Sequence, residues 1–177
     1  DEGALAEQLD SVDPQRIHAG RETMLRQLAR ELHDDWAWAF DAHQVRGAYA
    51  PDPVSAGERA LANLALAMLC LDASTTGDTV WPGCAYQRVK DAGNMTDRLN
   101  ALSALVDGHC ALADAALAHF HAHAQGDALV VDKWFDVQAR ASEEDGAAAR
   151  RAQEEYKRRI QKDHEDYCKM NPYAADC

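Results

Sequence analysis

The chain has 177 residues, 47% of them hydrophobic and 27% charged, which indicates one soluble globular domain, with or without an appendage. Its formal net charge of −12 makes nucleic acid and anionic lipid poor partners, because an acidic surface repels both polyanions. No apolar run approaches the roughly 18 residues that span a bilayer, so we expect no membrane segment.

The start of the chain and its cysteines both favour a cytoplasmic location. Residues 1–4 (DEGA) include neither an initiating Met nor the basic and apolar regions of a signal peptide, so we expect a chain begun within a longer protein. Five cysteines, an odd number, argue against a disulfide framework and favour a reducing compartment. Cys70 and Cys110 lie in apolar patterns and are predicted to be buried free thiols. Cys168 and Cys177 could instead close a terminal disulfide loop.

Alanines are many and β-branched residues few, which favours helices throughout. The first helix is predicted to begin at Asp13-Pro14, with Asp as the N-cap and Pro at the first helical position. One apolar stripe then continues for about seven turns. Its members are Ile17, Met24, Leu25, Leu28, Leu32, Trp36 and Phe40. Gly47 and Pro51 break the pattern and indicate a loop.

The second helix has a capping-box start, with Ser55 as N-cap and Glu58 three residues later. Its apolar pattern runs to about Leu71. Residues 72–83 are rich in Ser, Thr, Gly and Pro and are predicted to be a loop. A short helix follows at about residues 84–91.

Asn94 predicts the next helix start, with Asp97 placed to reach back to the N-cap. That helix is expected to run to Gly108. Another helix is predicted from about Cys110 to Ala124.

Residues 129–137 predict a last, unusually apolar helix, with Asp132 as a possible cap. Six short helices in succession indicate an all-α fold of antiparallel helices, stacked as a bundle or a curved α-solenoid of the HEAT/ARM kind. The chain then changes character at about residue 141. Residues 147–160 predict a solvated helix that is charged on nearly every side.

No zinc-peptidase, phosphate-binding, dinucleotide-binding or serine-hydrolase motif occurs in the sequence. His119 and His123 share one helical face at metal-ligand spacing, but no third ligand is nearby, so a polar helix surface is the favoured interpretation. Asp97, Asp107 and Asp114 could suggest acid–base carboxylates, yet their places at helix ends favour structural roles. We therefore predict no catalytic, cofactor-binding or metal-binding residue in this chain.

Four tryptophans could line a binding groove. Trp36 and Trp134 lie on apolar stripes, which favours the core for both. Trp38 lies off its stripe and Trp81 lies in a predicted loop, so either could be exposed.

Four short phrases, in this order, resemble the C-terminal helical domain of bacterial aminopeptidase N. They are Val12-Asp13-Pro14 with Ile17-His18-Ala19 and Arg21-Glu22, the Arg59-x-Leu61-x-Asn63 helix, Asn94-Met95-Thr96-Asp97, and Asp132-Lys133-Trp134-Phe135. Any one phrase would be weak, but their order and spacing also fit. The resemblance covers about residues 10–140.

The resemblance implies a zinc metallopeptidase that removes N-terminal residues, with a preference for alanine and other small, basic or apolar side chains. In that family the helical domain stacks short helices into a curved array that closes over the active site. The zinc ligands and the catalytic residues belong to a separate catalytic domain. Because none of their motifs occurs here, this chain is expected to be inactive alone and to hold no cofactor, with the missing catalytic domain as its partner.

The expected organisation is a helical domain over residues 1–140 and a charged helical tail of unknown origin over residues 141–177. An array that stops early leaves an apolar end uncovered, so self-association through residues 129–137 is expected unless the tail covers them. A free-standing helical interaction module that has lost the enzyme is the alternative function. A small metal-binding protein using His119 and His123 is a third possibility.

Overall fold

The computed structural model describes residues 3, 7–8, 12–124, 126–141 and 169. Seven α helices and no strand occur within these residues, which confirms the all-α class. The helices are α1 (Pro14–Glu31), α2 (His33–Ala42), α3 (Pro53–Thr76), α4 (Val80–Asp91), α5 (Met95–Asp107), α6 (Ala113–His123) and α7 (Ala128–Arg140). The predicted tail helix and the Cys168–Cys177 pair lie outside the described residues.

Helix α3 is the centre of the first of two compact units, which comprises residues 1–125. It packs against α1, α2, α4 and α5, and α6 lies against both α4 and α5. The largest fully buried side chains of this core are Leu66, Leu69 and Cys70 on α3, Val89 on α4, Leu102 and Leu105 on α5, and Phe120 on α6. Helix α7 belongs to the second unit, residues 126–177.

The predicted first helix is two helices, α1 and α2, separated at Leu32. Asp13 caps α1 as predicted, and its side chain accepts hydrogen bonds from two backbone amides of the first turn. Leu32 leaves the helical conformation at φ −108° and ψ 25°, after which α2 begins at His33. His33 Nδ1 lies 2.8 Å from Asp72 Oδ2, and this contact links the start of α2 to α3. The apolar spacing did not reveal this break, because Leu28, Leu32 and Trp36 follow one another at four-residue steps. That spacing is expected whether the segment forms one helix or two.

The predicted start of α3 at Ser55 is wrong by one turn. The N-cap is Asp52, whose carboxylate accepts the Ser55 backbone N–H at 3.0 Å, and Pro53 occupies the first helical position. An Asp-Pro pair provides a carboxylate acceptor at the N-cap and a proline at the first helical position. Together these two preferences outweigh the capping-box pattern. Glu58, the other half of that pattern, pairs with His43 of the preceding segment instead.

The predicted loop over residues 72–83 is mostly helical. Helix α3 continues to Thr76 and ends at Gly77, which takes the left-handed conformation at φ +75°. The Thr75 and Thr76 hydroxyls donate to the Asp72 carbonyl, so residues typical of loops satisfy a backbone acceptor within the last turn. Helix α4 then begins at Val80, four residues earlier than predicted.

The later helices lie close to their predicted positions. Asn94 is the N-cap of α5 as predicted. The cap of α7 is Asp127 rather than Asp132, since its side chain accepts the backbone amides of Leu129 and Val130. Leu129 is 74% exposed and Val137 is buried, so the apolar run that was expected to be open is only partly exposed.

By length and composition alone, helix α3 could cross a membrane. The sequence expectation differs because it counted only unbroken runs of apolar residues. However, 44% of its most apolar window is buried inside the protein. The helix also buries Arg59, Asn63 and Asp72, which are polar residues with protein partners. Both features are those of a core helix surrounded by other helices.

Candidate functional site: a buried polar network

Three helices contribute polar side chains to one cluster around Asp97. Asn63 Nδ2 on α3 donates to Asp97 Oδ1 at 3.0 Å, and an Arg88 guanidinium nitrogen on α4 lies 3.2 Å from the same oxygen. Asn94 Nδ2 donates to Asp97 Oδ2 at 2.9 Å. Both carboxylate oxygens are therefore engaged, and the cluster ties α3, α4 and α5 together.

A local helix cap also positions Asp97. Asn94 caps α5, and its side-chain oxygen accepts the Asp97 backbone N–H at 2.9 Å. Burial by itself raises the pKa of the Asp97 carboxyl, but the hydrogen bonds from Asn94 and Asn63 and the charge of Arg88 outweigh it, so the pKa is lowered overall. The carboxylate form is therefore favoured in the folded protein.

Arg88 extends the network to α2. Its guanidinium donates to Gln44 Oε1 at 2.9 Å and lies 5.5 Å from the centre of the Phe40 ring. Gln44 Nε2 in turn donates to the Phe40 backbone carbonyl at 2.6 Å. One arginine thus connects the end of α2 with the start of α5, while its charge is balanced by Asp97.

Arg59 holds the loop between α2 and α3. Its guanidinium donates to the Ala50 carbonyl at 2.7 Å and lies 4.6 Å from the centre of the Tyr49 ring. The residue is buried, with 4% of its surface exposed. This contact closes the loop onto the first turns of α3.

Of the three carboxylates that the sequence singled out, only Asp97 belongs to the network. Asp97 has the predicted capping partner, and Asp107 and Asp114 are exposed at the end of α5 and the start of α6. Sequence reasoning missed Asn63 and Arg88, which lie 34 and 9 positions from Asp97 in a helical array where such contacts depend on packing. The sequence signal that could have identified Asn63 is its place within the apolar run of α3, because a polar side chain in such a run needs a hydrogen-bond partner.

His119 and His123 lie together as their spacing predicts, with ring centroids 4.5 Å apart. Burial lowers the pKa of His119, and electrostatic interactions with His123, Lys90 and Arg98 lower it further. Cationic neighbours disfavour a bound metal cation at this position. Across the described part of the chain, no group of three or more His, Cys, Asp or Glu side chains is arranged to hold a metal ion.

The four tryptophans differ in how exposed they are. Trp36 is half-buried and its indole N–H donates to the Leu28 carbonyl at 3.2 Å. Trp81 lies within α4 and packs edge-on against Phe40 at 5.6 Å, so its predicted loop position is wrong. Trp134 is half-buried, and Trp38 is exposed to 65%.

The chain matches the family model described as a domain of unknown function (DUF3458_C) with ARM repeats, over residues 1–172. The chain therefore belongs to this family of ARM-repeat helical domains. The match reaches further than the phrases at residues 10–140 and includes most of the charged segment that follows them.

Two similar proteins are aminopeptidases. The chain is 32% identical to aminopeptidase N of Escherichia coli over 135 residues and 33% identical to aminopeptidase N of Haemophilus influenzae over 135 residues. Each alignment covers 76% of this chain, which spans only 15% of the length of either relative. These matches confirm the resemblance inferred from the sequence phrases.

A solved structure shows the same similarity. The crystal structure of Legionella pneumophila aminopeptidase A in complex with aspartic acid matches with a TM-score of 0.64 and 27% identity, covering 82% of this chain and 18% of that one. Two of the four phrases that carry the resemblance contain Asn63 and Asp97, which hydrogen-bond to each other. Two of the phrases therefore meet in the buried polar network.

Proposed function

We propose that this chain is a non-catalytic helical domain of a zinc-dependent aminopeptidase, which supports and gates a catalytic region located elsewhere in the protein. The similarity to aminopeptidase N over 76% of this chain carries the proposal. On this view the zinc ion and the residues that cleave peptides belong to that catalytic region. The chain itself contributes a stable helical array and needs no cofactor.

An exposed apolar surface formed by α1 and its C-cap residue, Leu32, supports the presence of a partner. Met24, Leu28 and Leu32 lie along the apolar stripe and are exposed to 54%, 40% and 38%. Ala29 is the only buried residue that α1 contributes. An 18-residue helix with one buried residue gains little from packing, and isolated helices are marginal in water. A second apolar surface would supply the missing burial.

The charge of α1 indicates what that second surface is like. The helix contains four arginines and two glutamates, so it is positively charged within a chain of net charge −12. Its partner surface is accordingly apolar with acidic residues around it. We place the contact with the catalytic region on this face, which is named here the α1 face and consists of Met24, Leu28 and Leu32.

Activity measurements test the first part of the proposal. The purified chain is mixed with zinc and alanine p-nitroanilide, and release of nitroaniline is followed over hours. No hydrolysis above the blank is expected. Hydrolysis that zinc supports and a chelator abolishes would contradict a non-catalytic role.

The reading frame upstream of residue 1 tests the partnership. A His-Glu-x-x-His segment in the same frame is expected. A start codon immediately before residue 1 would favour the alternative, a free-standing interaction module, for which the α1 face would bind an unrelated acidic protein. Inspection of the genomic sequence distinguishes the two.

We also propose a cytoplasmic location. The three cysteines within the described residues, Cys70, Cys84 and Cys110, are all free thiols, as a reducing compartment would keep them. Fractionation of the source cells with an antibody against this chain tests the location. Recovery with periplasmic markers would contradict it.

A further inference from the structure

Two buried thiols from distant parts of the chain meet at the centre of the first unit. Cys70 lies in the C-terminal third of α3 and is 0% exposed, and Cys110 lies in the turn between α5 and α6 and is 7% exposed. The Cys110 Sγ lies 3.7 Å from the Cys70 carbonyl oxygen, to which its S–H donates. Each thiol also affects the protonation of the other, since Cys70 lowers the pKa of Cys110 and Cys110 raises the pKa of Cys70. Neither residue takes part in the polar network around Asp97.

The turn that carries Cys110 is held tightly against α3. Gly108 has no room for a side chain, since a Cβ there would lie 2.8 Å from the Ala104 carbonyl oxygen and 3.1 Å from that of Cys70. His109 has φ +50°, an uncommon conformation for a residue other than glycine. The Cys110 backbone N–H donates to the Leu105 carbonyl at 3.0 Å. These contacts fix the position of the Cys110 thiol relative to α3.

We propose that Cys70 and Cys110 are a redox-active pair that forms an intramolecular disulfide when the protein meets a small-molecule disulfide such as oxidised glutathione. The Cys110 thiolate attacks one sulfur of oxidised glutathione and releases the first molecule of glutathione as its thiolate. Cys70 then loses its proton and attacks the Cys110 sulfur, which releases the second glutathione. Two thiol protons and two electrons pass from the protein to the oxidant, and one S–S bond forms.

The environments of the two thiols assign the order of these steps. Cys110 is the more exposed sulfur, and the hydrogen bond from Cys70 lowers its pKa, so it is the first nucleophile. The hydrogen bond with Cys110, followed by burial, raises the pKa of the Cys70 thiol, so Cys70 reacts only with a sulfur already beside it. Cys84 on α4 is half-buried and burial raises its pKa as well, which makes it an internal control.

Peptide mapping of the full chain tests this proposal. The native protein is incubated with oxidised glutathione, its remaining thiols are alkylated, and it is cleaved on the N-terminal side of aspartate. Cleavage before Asp72 and Asp78 separates Cys70 from Cys84, and cleavage before Asp107 releases the Cys110 peptide. We expect the Cys70 and Cys110 peptides to be joined, to separate on reduction, and Cys84 to be alkylated.

Two variants give the matched comparison. Cys84→Ser should retain the cross-link at the wild-type rate, and Cys110→Ser should lose it and leave Cys70 alkylated only after unfolding. The oxidised wild type should also melt several degrees higher than the reduced form, because the cross-link closes a long loop. This shift should be absent in Cys110→Ser. The proposal is overturned if oxidised native protein keeps both thiols free, or if Cys84 is the partner found in the cross-linked peptide.

Discussion

Asp97 shows how one residue can serve a local and a distant role together. Its backbone N–H completes the Asn94 cap of α5, while its carboxylate binds Asn63 and Arg88 on two other helices. A buried carboxylate is tolerated only when hydrogen bonds and an opposite charge replace water. The family phrases that contain Asn63 and Asp97 therefore contribute to the same buried network.

Replacement of the Asp97 carboxylate tests this role. Asp97→Asn should lower the free energy of unfolding at pH 7 by about 3 kcal/mol, because it leaves Arg88 without its anionic partner. Urea denaturation measures the change. Asp41→Asn, at an exposed position on α2, is the control and should change the free energy by less than about 0.5 kcal/mol.

The lowered pKa of Asp97 predicts that the stability lost in Asp97→Asn depends on pH. The pKa of Asp97 is lowered in the folded state, so its stabilising contribution is complete above the ordinary value of 3.8 and is lost as the pH falls through the folded pKa. The stability difference between wild type and Asp97→Asn should be constant from about pH 5 to pH 7 and should shrink below about pH 4. A difference that stays constant down to about pH 2 would contradict this assignment.

Gly108 is required by close packing rather than by its backbone angles, since its φ is −79°. Gly108→Ala should destabilise the protein by about 1–3 kcal/mol, because the new methyl group meets two backbone carbonyls. Gly83→Ala in α4 is the matched control, because nothing lies within 4 Å of its Cβ position. That change should stabilise by up to about 1 kcal/mol in thermal unfolding. Equal effects of the two changes would show that the tight contact is absent.

At the scale of elements, α3 organises the first unit because four helices pack on it. Its buried side has both aliphatic side chains and the polar groups Arg59, Asn63 and Asp72. The outer side keeps Leu64 exposed to 51%. A helix that is apolar on nearly all sides is expected at such a central position.

Two leucines on α3 test this arrangement. Leu66→Ala removes a fully buried side chain and should cost about 2–5 kcal/mol of unfolding free energy. Leu64→Ala, two positions earlier and exposed, should cost less than about 1 kcal/mol. Chemical denaturation of both variants under one condition gives the comparison. Similar losses would mean that the outer side of α3 is covered.

At the scale of the whole molecule, the described part of the chain combines a buried core with exposed apolar side chains. The α1 face and Leu129 on α7 are both exposed. We propose that in the absence of a catalytic region the purified chain self-associates through these surfaces, since solvent-exposed apolar patches favour association. The net charge of −12 opposes this association, so it should strengthen as salt screens the repulsion.

Sedimentation velocity at low and high salt checks this prediction. Leu28→Gln combined with Leu129→Gln should shift the distribution toward the monomer without lowering the melting temperature. Val80→Gln, a change at a single exposed apolar residue in the first turn of α4, should leave the distribution unchanged. A wild-type chain that stays monomeric at high salt and at concentrations of about 100 μM would contradict self-association.

The sequence by itself determined the helical class, the caps at Asp13 and Asn94 and the family resemblance. Each of these depends on residues within about four positions of one another, or on phrases read in order. Only the tertiary structure decided the break at Leu32 and the helical state of Trp81. It also decided the partners of Asp97 and the meeting of Cys70 with Cys110. Most of these features depend on contacts between residues 34 to 40 positions apart. Local patterns do not encode such contacts, because the packing of helices against one another selects them.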